Sequence, residues 1–418
     1  MILFSHPTGN SNVRGAAQAL LEAGLLAEYW TCVSWDPESA WNRFLPGSLR
    51  RQLVRRALPP PLRQLAWLHP WREAGRMAAS RLGLEALIAH ERGPFCIDAV
   101  YRSLDHRVSR RVAETASRLT GVYAYEDGAA ATFASAKAHG LRCLYDLPIG
   151  YWRAARAIYD EEREREPAWA CTLTGALDSP EKLARKDEEL RQADAIFVGS
   201  QFTRTTLQGA PLAEGKPVHV IPYGAPPAPD IPAPRRAPGG KLRVLFVGSL
   251  GQRKGLSYLL EALGMLGGAA AELTLIGMKT APDCAPLNAA VSRHRWLPTL
   301  PHAEVLREMS AHDVLVFPSL FEGFGLVLLE ALSRGLPIIT TEHTGGPDLL
   351  GAGAVDGSSG GFIVPVRSAR AIAEKLDLLA ADQGLRLALQ SAARETALRF
   401  TWESYRARLA QAVAEQMR

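Results

Sequence analysis

The sequence predicts an α/β protein built from two doubly wound domains, each a parallel sheet covered by helices. Three observations carry this. Short apolar runs alternate with helix-like stretches along most of the 418 residues. The runs are apolar throughout rather than apolar on alternate residues, as strands buried on both faces of a parallel sheet must be. A stretch dense in proline and glycine, GAPPAPDIPAPRRAPGG at 224–240, divides the alternation into two series. Such a stretch holds neither a helix nor a central strand and reads as a semi-rigid linker. The expected domains are therefore 1–223 and 241–399, with the last helix, about 400–418, free to pack back on the first.

In order, MILFSH reads as a strand, and about Arg14 to Glu28 has helical apolar spacing. FCIDAV (Phe95–Val100) and VYAY (Val122–Tyr125) read as buried strands. DGAAATFASAKAHG follows the helix pattern of an Asp127 N-cap and a Gly140 stop. RCLYDL, ADAIFVGS and VHVIPYG are the next strands, with a charged helix ending at Pro167 after the first of them and a helix opening near Gln201. Past the linker, KLRVLFVGSL, ELTLIG, DVLVFPS and PIITT are strands, with helices around Ser257–Leu266 and in GLVLLEALSRG.

Composition narrows the function classes. A 47% hydrophobic content supports a large core, and no run of about 18 apolar residues predicts a membrane span. The opening MILFSHPTGN lacks the basic and long apolar regions of a signal peptide. Five scattered cysteines without a CxxC pair predict neither a disulfide framework nor a zinc site, and fit a reducing cytoplasm. The net charge is +5, yet residues 41–81 alone hold nine arginines against one acid, Glu73, an excess of eight. These arginines are interleaved with Trp41, Phe44, Leu53, Trp67, Leu68 and Trp71. That mixture suits an anionic membrane surface or an anionic acceptor such as a lipid diphosphate. No recognition motif accompanies it that would favour nucleic acid. An ordinary solvated helical face is the competing reading.

Two segments carry chemistry. VLFVGSLGQRKG (Val244–Gly255) is a strand ending in a glycine loop with Gly248, Ser249, Arg253 and Lys254. Ligands of open α/β sheets sit beyond the carboxyl ends of strands, and adjacent cations with free backbone amides suit a diphosphate. The spacing is neither GxGxxG nor GK[ST], which argues against a dinucleotide fold and a P-loop NTPase. PSLFEGFGLVLLEALSRG (Pro318–Gly335) places Glu322 and Glu330 around Gly323, Phe324, Gly325, Leu326 and Val327 at a helix entry. A carboxylate among apolar residues is costly unless paired or facing a cleft. Glu330 can accept two hydroxyls of a vicinal diol, as in a ribose, and Glu322 can reach a sugar hydroxyl. The rival readings are a solvated Arg253–Lys254 turn, Glu322 as a helix cap, and Glu330 paired with Arg334 at i,i+4. His302 and His312 read as surface or cap residues.

Together these segments, with LPHAEV, HDVLVFPS, GLPIITT and GGFIVPV in the same order, resemble the donor domain of the retaining glycosyltransferase family 4. The resemblance spans about Lys241 to Pro365 and implies the GT-B fold, two Rossmann-like domains facing a central cleft. It implies that Arg253 and Lys254 bind the donor diphosphate, Glu322 the donor sugar and Glu330 the ribose. It further implies a metal-independent transfer from a UDP- or GDP-sugar with retention, no cofactor, and a glycan or lipid-linked acceptor in polysaccharide or glycoconjugate synthesis. The protein would be cytoplasmic or peripheral at the membrane. Asp348 departs from the family's more usual glutamate at a helix start.

The first domain is less informative. Gly9, in HPTGNSNVRG, matches a glycine that the family places near the diphosphate, although a turn glycine reads equally well. Tyr125, Glu126 and Asp127 lie where many relatives carry a histidine near the reacting sugar. Tyr151 and Trp152 are aromatics suited to stacking on a sugar or to the core. Rival functions are a GT-B phosphorylase, a non-catalytic glycosyltransferase-like binding subunit, and a nucleotide-sugar epimerase or dehydrogenase. The last lacks both a dinucleotide fingerprint and a YxxxK pair.

Overall fold

The computed structural model describes residues 1–39, 47, 53, 56–228, 240–267, 270–351, 354 and 357–417. Two parallel sheets organise the chain. The first contains β1 (Ile2–Ser5), β2 (Leu26–Thr31), β3 (Ala66–Leu68), β4 (Gly121–Tyr125), β5 (Arg142–Leu147), β6 (Ala195–Val198) and β7 (Val218–Val220), in the order β3-β2-β1-β4-β5-β6-β7. The second contains β8 (Leu242–Val247), β9 (Ala271–Ile276), β10 (Arg295–Leu297), β11 (Val314–Phe317), β12 (Ile338–Thr341) and β13 (Gly361–Val364), in the order β10-β9-β8-β11-β12-β13. Strand order reverses between β1 and β4 and between β8 and β11. The crevice at such a reversal, beyond the carboxyl ends, is where open α/β sheets bind ligands. His6 and Glu126 flank the first reversal, and the 248–255 and 318–325 loops flank the second.

The expected α/β architecture is the observed one, with local differences. Helix Ser11–Glu22 stops at Gly24, whose φ is +67°, so Ala27 and Glu28 fall in β2 and not in the helix. Phe95–Val100 is not a strand. Helix Ile97–Thr115 begins there, with the Cys96 sulfur accepting from the Ala99 amide at 3.3 Å. Val100, Leu104, Val108 and Val112 recur every four residues on its buried face, so the apolar residues that suggested a strand belong to a helix stripe. β3 and β10 are three-residue edge strands, too short to show a period.

Asp127 does not cap the following helix. It sits at φ +72°, while helix Ala130–Ala138 starts after Ala129. Two carboxylates from distant helices take the orphan amides instead. Glu189 accepts from Ala129 at 3.0 Å and Ala130 at 3.3 Å, and Asp105 accepts from Ala131 and Thr132 at 2.8 Å each. These four bonds satisfy more orphan donors than the one that an ordinary N-cap side chain reaches.

Chain order and packing do not coincide. Helix Trp402–Gln416 lies against helix Ser11–Glu22, close enough that a Cβ on Gly15 would come within 2.8 Å of the Trp402 ring. In the opposite sense, Ile158 and Trp169 pack on the core of the second sheet. Glu162, fully buried, ties that segment down. It accepts from Gln252 at 2.6 Å, Tyr258 at 2.9 Å and Arg367 at 2.7 Å. Most of the proline-rich stretch, 229–239, lies outside the described residues. On its near side the Ala225 amide donates to the Phe400 carbonyl at 2.8 Å.

Candidate functional site

The second crevice is built from the loops after β8 and β11. After β8 the chain makes a single turn, Gln252–Lys254, before helix Leu256–Met265. Gly255 between them is at φ +66°, and a Cβ there would sit 2.0 Å from the Pro318 carbonyl oxygen. Only glycine lets the two loops close this far, and the closure delivers Arg253 and Lys254 to Glu322. Both cations meet one oxygen, Glu322 Oε2: Arg253 at 3.1 Å and Lys254 in direct contact. Arg253 also donates to the Phe321 carbonyl at 3.0 Å, and the Lys254 ammonium lies 4.6 Å from the centre of the Phe317 ring. Glu322 Oε1 has no hydrogen-bond partner among the described residues. The cluster carries two positive charges and one negative, a net cation at the mouth of a crevice.

Burial shapes the charges. It pushes the Lys254 ammonium down to about 8, with Glu322 opposing the shift. Burial alone would raise Glu322, but Lys254 and Arg253 hold its carboxyl below the usual range. Glu322 thus stays ionised and positions both cations; it does not cap the helix. The N-cap of Leu326–Ser333 is Gly325, at φ +87°. Glu330, in the second turn of that helix, bonds His302 Nε2 at 2.9 Å; Arg334, its partner in the rival reading, donates to the Pro227 carbonyl at 2.8 Å. His312 caps helix His302–Ala311 but is buried, its Nδ1 2.6 Å from the Glu308 carbonyl oxygen. Gly248 and Ser249 line the turn after β8, with the Gly248 amide bonded to Ile276 O at 2.9 Å.

Gly323 and Phe324 join the two halves of the molecule. The Gly323 carbonyl accepts from Thr203 at 2.7 Å and from Ser200, and a Cβ on Gly323 would lie 1.9 Å from the Pro148 carbonyl oxygen. The Phe324 ring is 5.2 Å from Tyr223, and both are core residues. Leu326 and Val327 are half-buried beside them. Asp348 adds a second joint, accepting from the Gln201 amide at 3.1 Å, and burial raises its carboxyl to about 6.

The first crevice holds a second charged cluster. Glu126 follows β4 and is buried. Its carboxyl is raised to about 7, chiefly by burial, with Lys186 opposing at 3.5 Å. Lys186 also faces Asp127 at 3.7 Å and Asp178 at 3.4 Å. Burial would lower its ammonium, but these three carboxylates raise it. Lys182 reaches Asp178 at 2.8 Å, and Arg185 bonds Asp98. These three cations come from helix Pro180–Gln192, whose part in the site sequence reading missed; the i,i+4 pair Lys182/Lys186 was its one local signal. Tyr159 links the two clusters. Burial raises its hydroxyl to about 12, and it lies in the fields of Arg253, Glu322 and Lys186, with its ring 5.9 Å from Phe321.

Other expected contributors lie elsewhere. Tyr125 is 2% exposed, its ring edge-on to Phe4 at 5.9 Å and to His6 at 4.7 Å, so it fills core instead of facing a sugar. Tyr151 and Trp152 both donate to Asp187 Oδ1, at 2.8 and 2.7 Å, and Arg153 covers the Trp152 ring. Those bonds commit both rings to the outside of helix Pro180–Gln192. Gly9 is buried against Leu58 with its carbonyl bonded by Arg14, and makes no described contact with Arg253, Lys254 or Glu322.

Residues 228–396 match the family described as glycosyl transferases group 1. A glycogen synthase of Mycobacterium tuberculosis is 30% identical over 231 residues, which cover 53% of this chain and 52% of that protein. The chain thus spans about half the length of this curated relative. Among solved structures, sucrose-phosphate synthase of Thermosynechococcus elongatus superposes with a TM-score of 0.67 at 18% identity, covering 99% of this chain and 98% of that one. HepE of Anabaena, solved in complex with UDP-glucose, superposes at 0.61 with 15% identity and covers 99% of both chains. Residues 228–396, in the second half of this protein, are thus similar to the glycosyl transferases group 1, in a chain with the GT-B fold.

Proposed function

We propose that this protein is a glycosyltransferase that moves a hexose-type sugar from a nucleoside diphosphate sugar, UDP- or GDP-linked, to a glycan or glycolipid acceptor, with retention at the anomeric carbon. One observation carries the reading: Arg253, Lys254 and Glu322 converge at the carboxyl edge of β8 and β11, where strand order reverses. The two cations are aimed at the charge that develops on a leaving diphosphate, the transition-state charge that preorganised donors stabilise best. They supply the countercharge that a divalent ion provides in metal-dependent transferases. Glu322 Oε1 is left for a sugar hydroxyl, and Glu330 for the ribose, shared with His302. The bond from the anomeric carbon to the diphosphate oxygen breaks, the acceptor oxygen bonds to the same face, and its proton passes to the leaving phosphate.

On the acceptor side, Glu126 is the group of choice. Its raised carboxyl, buried beside Lys186, suits an exchange of hydrogen bonds with an acceptor hydroxyl near neutral pH. HepE, solved with UDP-glucose, supports a nucleotide-sugar donor, and the glycogen synthase name supports a glycan acceptor. Surface-polysaccharide or glycoconjugate synthesis, in the cytoplasm or at its membrane face, is the setting we infer. No helix among the described residues is long and apolar enough to cross a membrane. Thermal-shift screening against UDP-, GDP-, TDP- and ADP-sugars tests the donor: stabilisation by one nucleotide series supports the reading, and no response to any of them overturns it. NMR of the product's anomeric proton tests retention, which an inverted product would contradict.

A further inference from the structure

A cleft of about 440 Å³ opens on the outside of the first domain, between the turn that follows β3 and the outer face of helix Ile97–Thr115. Arg72 approaches it from the first turn of helix Trp71–Arg81, and Arg102, His106, Arg107 and Arg110 from helix Ile97–Thr115, at the spacing that puts them on one face. Among the described residues, no acidic one lines it. None of the donor-site residues lines it either, and among the described residues the expected basic patch at 41–81 contributes only Arg72 to its arginines. Much of that patch is internally spent: Arg56 and Arg76 hold the buried Glu73, and Arg63 pairs with Asp36.

The cleft's cations are held but not neutralised. Arg72 lies over the Trp71 ring, 4.3 Å from its centre, and Arg107 over Trp30 at 5.3 Å, so aromatic faces fix two guanidinium planes without supplying a full charge. The carboxylate paired with Arg102 is Asp98, at 3.8 Å, and it is already bonded by Arg185. Arg110 and His106 have no ion pair among the described residues. The undescribed stretches 40–46, 48–52 and 54–55 contain four arginines and no acid, so they bring no countercharge. The floor is preorganised: His69 Nε2 is 2.9 Å from Ser103 Oγ and accepts from Trp71 Nε1 at 3.1 Å. Burial, with Arg107 and Arg72 nearby, lowers the His69 imidazole. Like charges gathered this way repel one another until an anion enters, and planar guanidinium forks match phosphate oxygens in pairs.

We propose that this cleft is a second anion site, separate from the donor crevice, that binds a phosphate or diphosphate group. The group can be free in solution or carried as a lipid headgroup; the chemistry recognised is the same. The test compares the full chain with Arg102→Gln/Arg110→Gln, both exposed positions, and with Lys254→Ala. Inorganic pyrophosphate is titrated by calorimetry at low salt, and sedimentation is measured with phosphatidylglycerol vesicles against phosphatidylcholine ones. A free-phosphate site predicts pyrophosphate binding that survives Lys254→Ala and weakens at least tenfold in the double variant. A headgroup site predicts sedimentation with phosphatidylglycerol only, lost in the double variant. Unchanged binding of both probes in a double variant that melts like the wild type overturns the proposal. So does absence of binding to both by the wild type. Pyrophosphate binding abolished by Lys254→Ala and untouched by the double variant, with no vesicle effect, also overturns it while leaving the donor reading intact.

Discussion

The carboxyl edges of the two sheets solve the same problem by different routes. At the second sheet, the charged groups come from two loops, each only a few residues past its strand, and glycine lets the loops touch. At the first sheet, Glu126 and Asp127 leave β4, but Lys182, Arg185 and Lys186 arrive from a helix more than fifty residues later, and Asp98 from a helix before it. One cluster comes entirely from strand-end loops and is net positive. The other draws its bases from a helix, and its acids and bases nearly balance. A leaving diphosphate needs fixed positive charge, whereas an incoming hydroxyl needs groups that trade hydrogen bonds without a large field. The contrast between the edges is thus the contrast between the two substrates proposed for them.

The largest break in this comparison is expected from Lys254→Ala. Loss of one donor aimed at developing charge costs about 10²–10³ in turnover. Arg253 still pairs Glu322, so the fold should hold, which circular dichroism and a melting curve will check. Full turnover in a folded Lys254→Ala protein would remove the diphosphate role.

Gly323→Ala attacks the joint between the edges. Its Cβ would meet the Pro148 carbonyl oxygen at 1.9 Å, so the interface must shift. Overpacking of this kind costs about 1–3 kcal/mol. A lower melting temperature together with reduced transfer is the expected outcome; unchanged values of both would mean the joint is slack. On the acceptor side, Glu126→Gln should lower kcat about tenfold while leaving the donor's KM in place, since Glu126 belongs to the other cluster. A change confined to the donor's KM would contradict that assignment.

The pH dependence should separate the clusters more gently. The Lys254 ammonium, depressed to about 8, loses its charge as pH rises through that value. The profile of kcat/KM, which reports the free enzyme, should therefore fall on its alkaline side near pH 8. Lys254→Arg should move that limb upward even if the plateau drops. The smallest effect belongs to Asp127→Asn. Because Glu189 and Asp105 cap the helix and the cations facing Asp127 stand at 3.7–3.9 Å, stability should change by less than about 0.5 kcal/mol; a larger loss in a melting curve would contradict this.

Legibility in the sequence follows the same division. The donor loops were readable because their chemistry is contiguous: a buried strand, glycines, then cations or a carboxylate. That Arg253, Lys254 and Glu322 share a single oxygen was not readable, since it depends on how closely two loops pack around Gly255. The charged residues of helix Pro180–Gln192 were invisible as a site because in one dimension they look like any solvated helix. Phe95–Val100 misled because six apolar-rich residues at a helix start are indistinguishable from a short buried strand until the four-residue stripe is followed to Val112. Tyr125 drew attention by position, yet in a parallel sheet a strand's last residue can point into the core while the next, Glu126, reaches the crevice.

The central claim is that the Arg253–Lys254–Glu322 cluster receives the diphosphate of a nucleotide sugar. Its most direct test is calorimetric titration of the donor nucleotide identified by thermal shift into the wild type and into Arg253→Ala/Lys254→Ala. Saturable binding to the wild type that weakens at least a hundredfold in the folded double variant is the predicted result. Equal affinity in the two proteins would contradict it.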